Sequence, residues 1–173
     1  MSRARTTAAV LLLFLLQVTV FANIRPFGVT PNVMLLGALA GAMVGSVDYG
    51  AKHGFVCGLL VDLMSPGPFG LAAGVYGAVG HGVGVFSQTF DSQDLRVGPI
   101  TTLVGSFIGT VGYGLGLGVL GQEQFVEWRL VYVAGLVALY NLMMFVPVQR
   151  LYLWVASAES SYVRTTAADS VVN

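Results

Sequence analysis

Charged side chains are missing from five long stretches of this chain: Thr6 to Ile24, Pro26 to Val47, Leu63 to Phe90, Val97 to Gln122 and Leu130 to Gln149. Each reaches the ~17 to 25 residues an α-helix needs to cross the hydrocarbon core of a bilayer. With 9% charged and 55% apolar residues, the chain lacks the charge to solvate a globular surface, for which about 25% is usual. The implied fold class is an all-α polytopic membrane protein built as a bundle of six transmembrane helices. Eight basic residues balance eight acidic ones, so nothing points to nucleic acid as a partner. Cys57 is the single cysteine, which excludes an internal disulfide or a thiolate metal cluster and leaves it as a small apolar helix residue.

The number of crossings turns on Ala51 to Ser65, an apolar stretch short enough to be either a brief span or a re-entrant segment and interrupted by Asp62. With six crossings and the N-terminus inside, Arg3, Arg5, Lys52, Arg96, Arg150 and Arg164 lie inside, against Arg25 and Arg129 outside. If the stretch does not cross, the basic residues divide evenly. The cytoplasmic bias of Lys and Arg therefore favours spans at about 6–23, 30–47, 50–65, 69–89, 97–120 and 129–154, followed by a cytoplasmic tail over 156–173. The opening run, with Arg3 and Arg5 before it and Ala22 at its end, also resembles a secretory signal, but the later spans favour an uncleaved anchor. Trp128, Tyr132, Tyr152 and Trp154 flank the last span as rings seated at the headgroup level.

Glycine spacing supplies the second level of organisation. Gly50, Gly54 and Gly58 recur every fourth residue, and Asp62 continues the series. After a break at Ser65-Pro66-Gly67-Pro68, a stripe runs through Gly70, Gly74, Gly77, His81 and Gly84. Gly37, Gly41 and Gly45 repeat the spacing in the second span, while Gly105, Gly109, Gly112 and Gly116 repeat it in the fifth, beside Gly114, Gly118 and Gly121 on a neighbouring face. In lipid such stripes mark surfaces where helix backbones approach closely. Their density makes the fifth span the expected centre of the bundle.

Ionisable groups inside a membrane raise a functional hypothesis by default. Six crossings put Asp62 within a turn of the outer surface, where it can accept hydrogen bonds from the backbone of the turn at Ser65 to Phe69. A structural clamp or partner contact is the first expectation, with ligand binding and catalysis as alternatives. His81, on a glycine face, is expected to hydrogen-bond a neighbouring backbone. Asp48 and Lys52, four apart with His53 beside them, suggest a solvated helix rim. No nucleophile with a positioned base and no pair of ligands at helical spacing stands out, so no catalytic, cofactor-binding or metal-binding residue is assigned. Gly80-His81-Gly82-Val83-Gly84 lacks the Lys-Ser/Thr and preceding strand of a phosphate loop.

The block Gly54-Phe55-x-x-Gly58-Leu59-Leu60-x-Asp62-Leu63, followed by Pro68-Phe69-Gly70-Leu71, Tyr76 and Gly80, resembles the MreD family of rod shape-determining proteins. Gln17-Val18-Thr19 with Phe21, and Pro31-Asn32, fit the same family, so the likeness covers most of Leu13 to Gly84. The resemblance implies a six-helix protein of the bacterial cytoplasmic membrane with both termini cytoplasmic, similar in fold to the substrate-binding subunits of energy-coupling-factor vitamin transporters. It implies a non-enzymatic role in lateral peptidoglycan synthesis, through binding to MreC and, indirectly, to MreB, RodA and a class B penicillin-binding protein. Gly54, Phe55, Gly58, Leu59, Leu60, Asp62, Pro68, Phe69 and Gly70 match the family block and are expected to serve architecture or partner contact. The alternatives are a vitamin-like small-molecule-binding subunit of a transporter, with a pocket near Asp62 and the loop from Pro66 to Phe69, and an intramembrane hydrolase using Asp48, Asp62 or His81.

Overall fold

The computed structural model describes residues 3–89, 96–121 and 128–157, and over these the regular structure is entirely helical. Helix α1 runs Arg3–Leu16 and continues through a π-helical turn, Gln17–Phe21. Helices α2 (Val33–Val44), α3 (Val47–Met64), α4 (Leu71–Thr89) and α5 (Val97–Val119) follow. The chain then forms α6 (Trp128–Met143) and α7 (Phe145–Ser157), which meet at a bend of 58°. Two helices, Arg3–Phe21 and Val97–Val119, are long and apolar enough to cross a membrane, and α6 with α7 makes a third if the bent pair is one span. The run expected as one last span is thus two helices broken at Met144, and the tail beyond Ser157 lies outside the described residues.

The centre of the molecule is α2, not the glycine-rich α5. Every residue from Val33 to Ala42 is buried, and Met34, Leu35, Leu36, Leu39 and Ala40 have no accessible surface. Twelve residues rise only about 18 Å, well short of the ~30 Å hydrocarbon core, so this helix gains its place from protein neighbours rather than from lipid. Local chemistry fixes both its ends. The Asn32 side chain caps the first turn by accepting from the Leu35 N–H at 3.0 Å. Gly45 closes the helix, and Ser46 opens α3 by accepting from the Tyr49 N–H at 3.2 Å.

Gln17, in the π-helical turn of α1, holds the entry to α2 from both sides. Its Oε1 accepts from Val33 N–H at 2.8 Å and its Nε2 donates to the Pro31 carbonyl at 3.1 Å. One amide thereby satisfies an N–H that the start of a helix leaves open and a carbonyl of the connection leading into it. At the opposite end of the bundle the Arg5 guanidinium lies 4.6 Å above the centre of the Trp154 ring and donates to the Trp154 carbonyl, tying α1 to α7. Trp128, Tyr132 and Trp154 are exposed as expected of interfacial rings, but Tyr152 is completely buried.

Glycines operate in two ways. Along α3 and α4, backbone lies on backbone: a Cβ at Gly54 would overlap the Tyr76 carbonyl, one at Gly58 would come within 2.6 Å of Ala73 Cα, and one at Gly50 within 2.7 Å of the Gly80 carbonyl oxygen. Along α5 the glycines receive side chains. A Cβ at Gly105 would meet Leu39 Cδ2 at 2.6 Å, at Gly109 Leu35 Cδ1 at 3.0 Å, at Gly112 Val75 Cγ1 at 3.4 Å and at Gly116 Leu71 Cδ1 at 2.5 Å. On the neighbouring face Gly114 accommodates Leu130 of α6. Gly121, expected in that same stripe, instead turns the chain after α5 with φ +86°.

Candidate functional site

Asp62 sits at the end of α3, buried, facing the first turn of α4. Its Oδ2 accepts from Gly70 N–H at 3.0 Å and Ala73 N–H at 2.9 Å, and its Oδ1 accepts from Ala72 N–H at 2.9 Å. The N-terminus of a helix presents unpaired N–H groups and the positive end of the helix dipole, so a carboxylate from the preceding helix satisfies three donors at once. These donors offset the cost of holding an acid among apolar helices. They lie just past the turn at Ser65 to Phe69 that the sequence pointed to. Gly70 can aim its N–H at the carboxylate because its φ is +94°, a conformation a side chain would strain. Pro68 accepts from Leu71 N–H across the same turn, while Phe69 projects outward and is 69% exposed.

The other residues expected to serve architecture or partner contact on α3 and α4 divide between contact and exposure. Gly54 and Gly58 abut α4 directly, and Gly77 lies at ordinary contact distance from Ala51 and Phe55. Phe55 itself is about half exposed. Gly74 and His81 depart from expectation: a Cβ on Gly74 would meet nothing within 4 Å, and His81 is exposed rather than turned to a neighbouring backbone. The reason is register. The face of α4 that meets α3 carries Ala73, Gly77, Gly80 and Gly84, so Gly74 and His81 are rotated off it.

The histidine that sequence reading missed is His53. Placed by its charged neighbours on a rim, it is 5% exposed and lies flat over Gly41, where a Cβ would stand 2.7 Å from Nε2. Its Nε2 is 2.8 Å from the Tyr152 hydroxyl and 3.7 Å from Cys57 Sγ, and its ring stacks on Tyr49 at 5.3 Å between centroids. Gly37 completes the floor, since a Cβ there would stand 3.2 Å from the Tyr152 oxygen. The available signal was the pair Gly37 and Gly41, whose missing side chains leave room on α2 for the Tyr152 hydroxyl and the His53 ring. This cluster joins α2, α3 and α7 through neutral polar groups, which are less costly than charges in a low-dielectric interior.

On α4 the exposed residues Gly74, Ala78 and Gly82 are spaced by four and form an open stripe; a Cβ at Gly74 or Gly82 would meet nothing within 4 Å. An apolar groove of about 490 Å3 flanks it on the α3 side, beside Phe55 and Val56, and another of about 550 Å3 on the α5 side, beside Val104 and Ile108. Among the described residues no three His, Cys, Asp or Glu converge on a common point. Asp48 and Asp62 are fourteen residues apart on one helix, about 21 Å along its axis, so they are not a facing pair. No family model, curated protein or solved structure matches the chain significantly.

Proposed function

We propose that this chain is a non-enzymatic integral subunit of the bacterial cell-elongation complex, an MreD-like protein that binds the single membrane-spanning helix of MreC and through it supports lateral peptidoglycan synthesis. The family-like block supports the assignment, because Gly54, Gly58, Asp62 and Gly70 act together in joining α3 to α4. In this reading all six runs cross the cytoplasmic membrane, with both termini inside. A 12-residue α2 fits that topology because its neighbours surround it and it need not match the lipid thickness.

The observation that carries the partner role is the vacant small-residue stripe on α4. Gly74, Ala78 and Gly82 have the spacing that lets a second helix approach backbone to backbone, and the grooves beside them leave room for its side chains. MreB, RodA and the class B penicillin-binding protein then associate through the partner rather than through a site on this chain. Co-purification of MreC from native membranes tests the proposal. Gly74→Leu with Gly82→Leu should abolish it while leaving the unfolding midpoint unchanged, and Leu103→Ala, on the exposed side of α5, should not affect it. Retention of the complex with both glycines filled would remove this function from α4.

A further inference from the structure

A cavity of about 330 Å3 lies at the end of the bundle where the α1–α2 and α3–α4 connections meet, on the opposite side of α4 from its open stripe. Five hydroxyl-bearing residues, Thr30, Ser65, Tyr76, Thr110 and Tyr113, line it together with Asn32 and apolar groups, and no charged side chain does. Asp62, although close by, has its carboxylate oxygens engaged with three backbone N–H groups.

The protons in the wall can be followed one by one. Asn32 Oδ1 is fixed as an acceptor by Leu35 N–H, so its amide nitrogen donates to the Tyr76 hydroxyl. Tyr76 is therefore an acceptor in that bond, and its own proton has no acceptor among the described residues. This phenol is 2% exposed. Ser65 Oγ accepts from Gly67 N–H and lies 3.3 Å from the Tyr113 hydroxyl. Between those two hydroxyls one proton makes the bond and the other is left over. Thr110 donates to the Ser106 carbonyl at 2.8 Å, which leaves the lone pairs of its Oγ1 as acceptors. These groups offer two spare O–H donors and the Thr110 acceptor, all neutral, and the Thr30 hydroxyl adds one that can serve as either; Tyr76 among them is buried, where polar groups ordinarily find partners.

We infer that this cavity is a binding site for a small uncharged molecule carrying at least two acceptor oxygens or nitrogens and a donor, recognised by Tyr76, the Ser65–Tyr113 pair and Thr110. Its volume equals that of about ten waters and falls at the small end of the ~300 to 1,000 Å3 typical of ligand pockets. Charged molecules are disfavoured because the wall holds nothing to neutralise them. The site is independent of the α4 stripe, and it stands whether or not MreC binds there.

The full chain in lipid nanodiscs tests the inference with a panel of uncharged carbonyl- and hydroxyl-bearing fragments no larger than the cavity, matched to carboxylate and amine analogues. At least one neutral fragment should bind with Kd below about 1 mM, and its charged analogues at least about tenfold more weakly. Tyr76→Phe should reduce the affinity by about tenfold, since the fragment then loses the phenolic donor. Thr110→Val, which leaves the Asn32–Tyr76 contact alone, should reduce it as well and serves if Tyr76→Phe does not fold. Absence of binding by every neutral fragment would show that the space holds water only, and binding equal in wild type and in the folded variants would place the fragment elsewhere on the protein; either result overturns the inference.

Discussion

The α3–α4 seam and the α5 seam are both lined with glycine, yet they are different structures. Between α3 and α4 a missing Cβ is replaced by the neighbouring main chain: the Tyr76 carbonyl at Gly54, the Ala72 carbonyl at Gly58 and the Gly80 carbonyl at Gly50. Along α5 it is replaced by the flexible ends of Leu35, Leu39 and Leu71. A backbone held in a helix cannot give way without breaking its hydrogen bonds, whereas a leucine can change rotamer. The same glycine spacing therefore marks a rigid joint in one place and a knob-into-hole contact in the other. Asp62 belongs to the rigid joint, because its three hydrogen bonds fix the height of α4 against α3.

Substitutions in the two seams should differ in their effect on the unfolding midpoint in detergent. Gly58→Ala should be the most damaging, at about 3 kcal/mol or more, because Ala72 and Ala73 main-chain atoms occupy the required space. A midpoint equal to wild type would show that the two helices do not meet by backbone. Asp62→Asn should cost about 2 kcal/mol, since an amide offers one oxygen to three donors that a carboxylate serves with two. Amide exchange sharpens that test: Gly70, Ala72 and Ala73 should lose protection, while helices remote from α4 keep theirs.

Tyr152→Phe deletes the hydroxyl bonded to His53 and should cost about 1 to 2 kcal/mol. An unchanged midpoint would mean that this contact adds nothing to the joint between α2, α3 and α7. Gly105→Ala should cost less than about 1 kcal/mol, because Leu39 can move and alanine favours the helix. A loss as large as that of Gly58→Ala would erase the distinction between the seams. Gly82→Ala should leave stability unchanged or raise it by up to ~1 kcal/mol, as nothing lies within 4 Å of the added methyl.

Much of the α3–α4 joint was legible before any coordinates. Gly50, Gly54, Gly58 and Asp62 fall on one helical ridge, and the break at Ser65 to Pro68 returns the chain so that a second helix meets that ridge. What periodicity could not supply was the rotation of α4. Two small-residue faces coexist on it, one through Ala73, Gly77, Gly80 and Gly84 and one through Gly74, Ala78 and Gly82, and either could have met α3. His53 was read from its neighbours Asp48 and Lys52, though a helix turns about 100° per residue and adjacent positions need not share a surroundings. Tyr152 sits two residues from Trp154 at the end of the last run, as an interfacial ring would, but two residues are about 200° of helix rotation, so on α7 Trp154 is exposed and Tyr152 is buried.

The amino-acid order alone determined that this chain is helical and apolar over long runs, since uncharged stretches and fourth-residue glycines depend only on local chemistry. The caps at Asn32 and Ser46 also act within three residues of themselves, yet the spans expected from about 30 and 50 begin instead at Val33 and Val47, just after these caps. The tertiary structure alone decided that the short α2 is the core, that Asp62 closes the start of α4, and that Tyr76 keeps a spare proton in a cavity wall. Each of those outcomes depends on which atoms from distant segments arrive at the same place, and that follows from close packing among all the helices rather than from the sequence of any one.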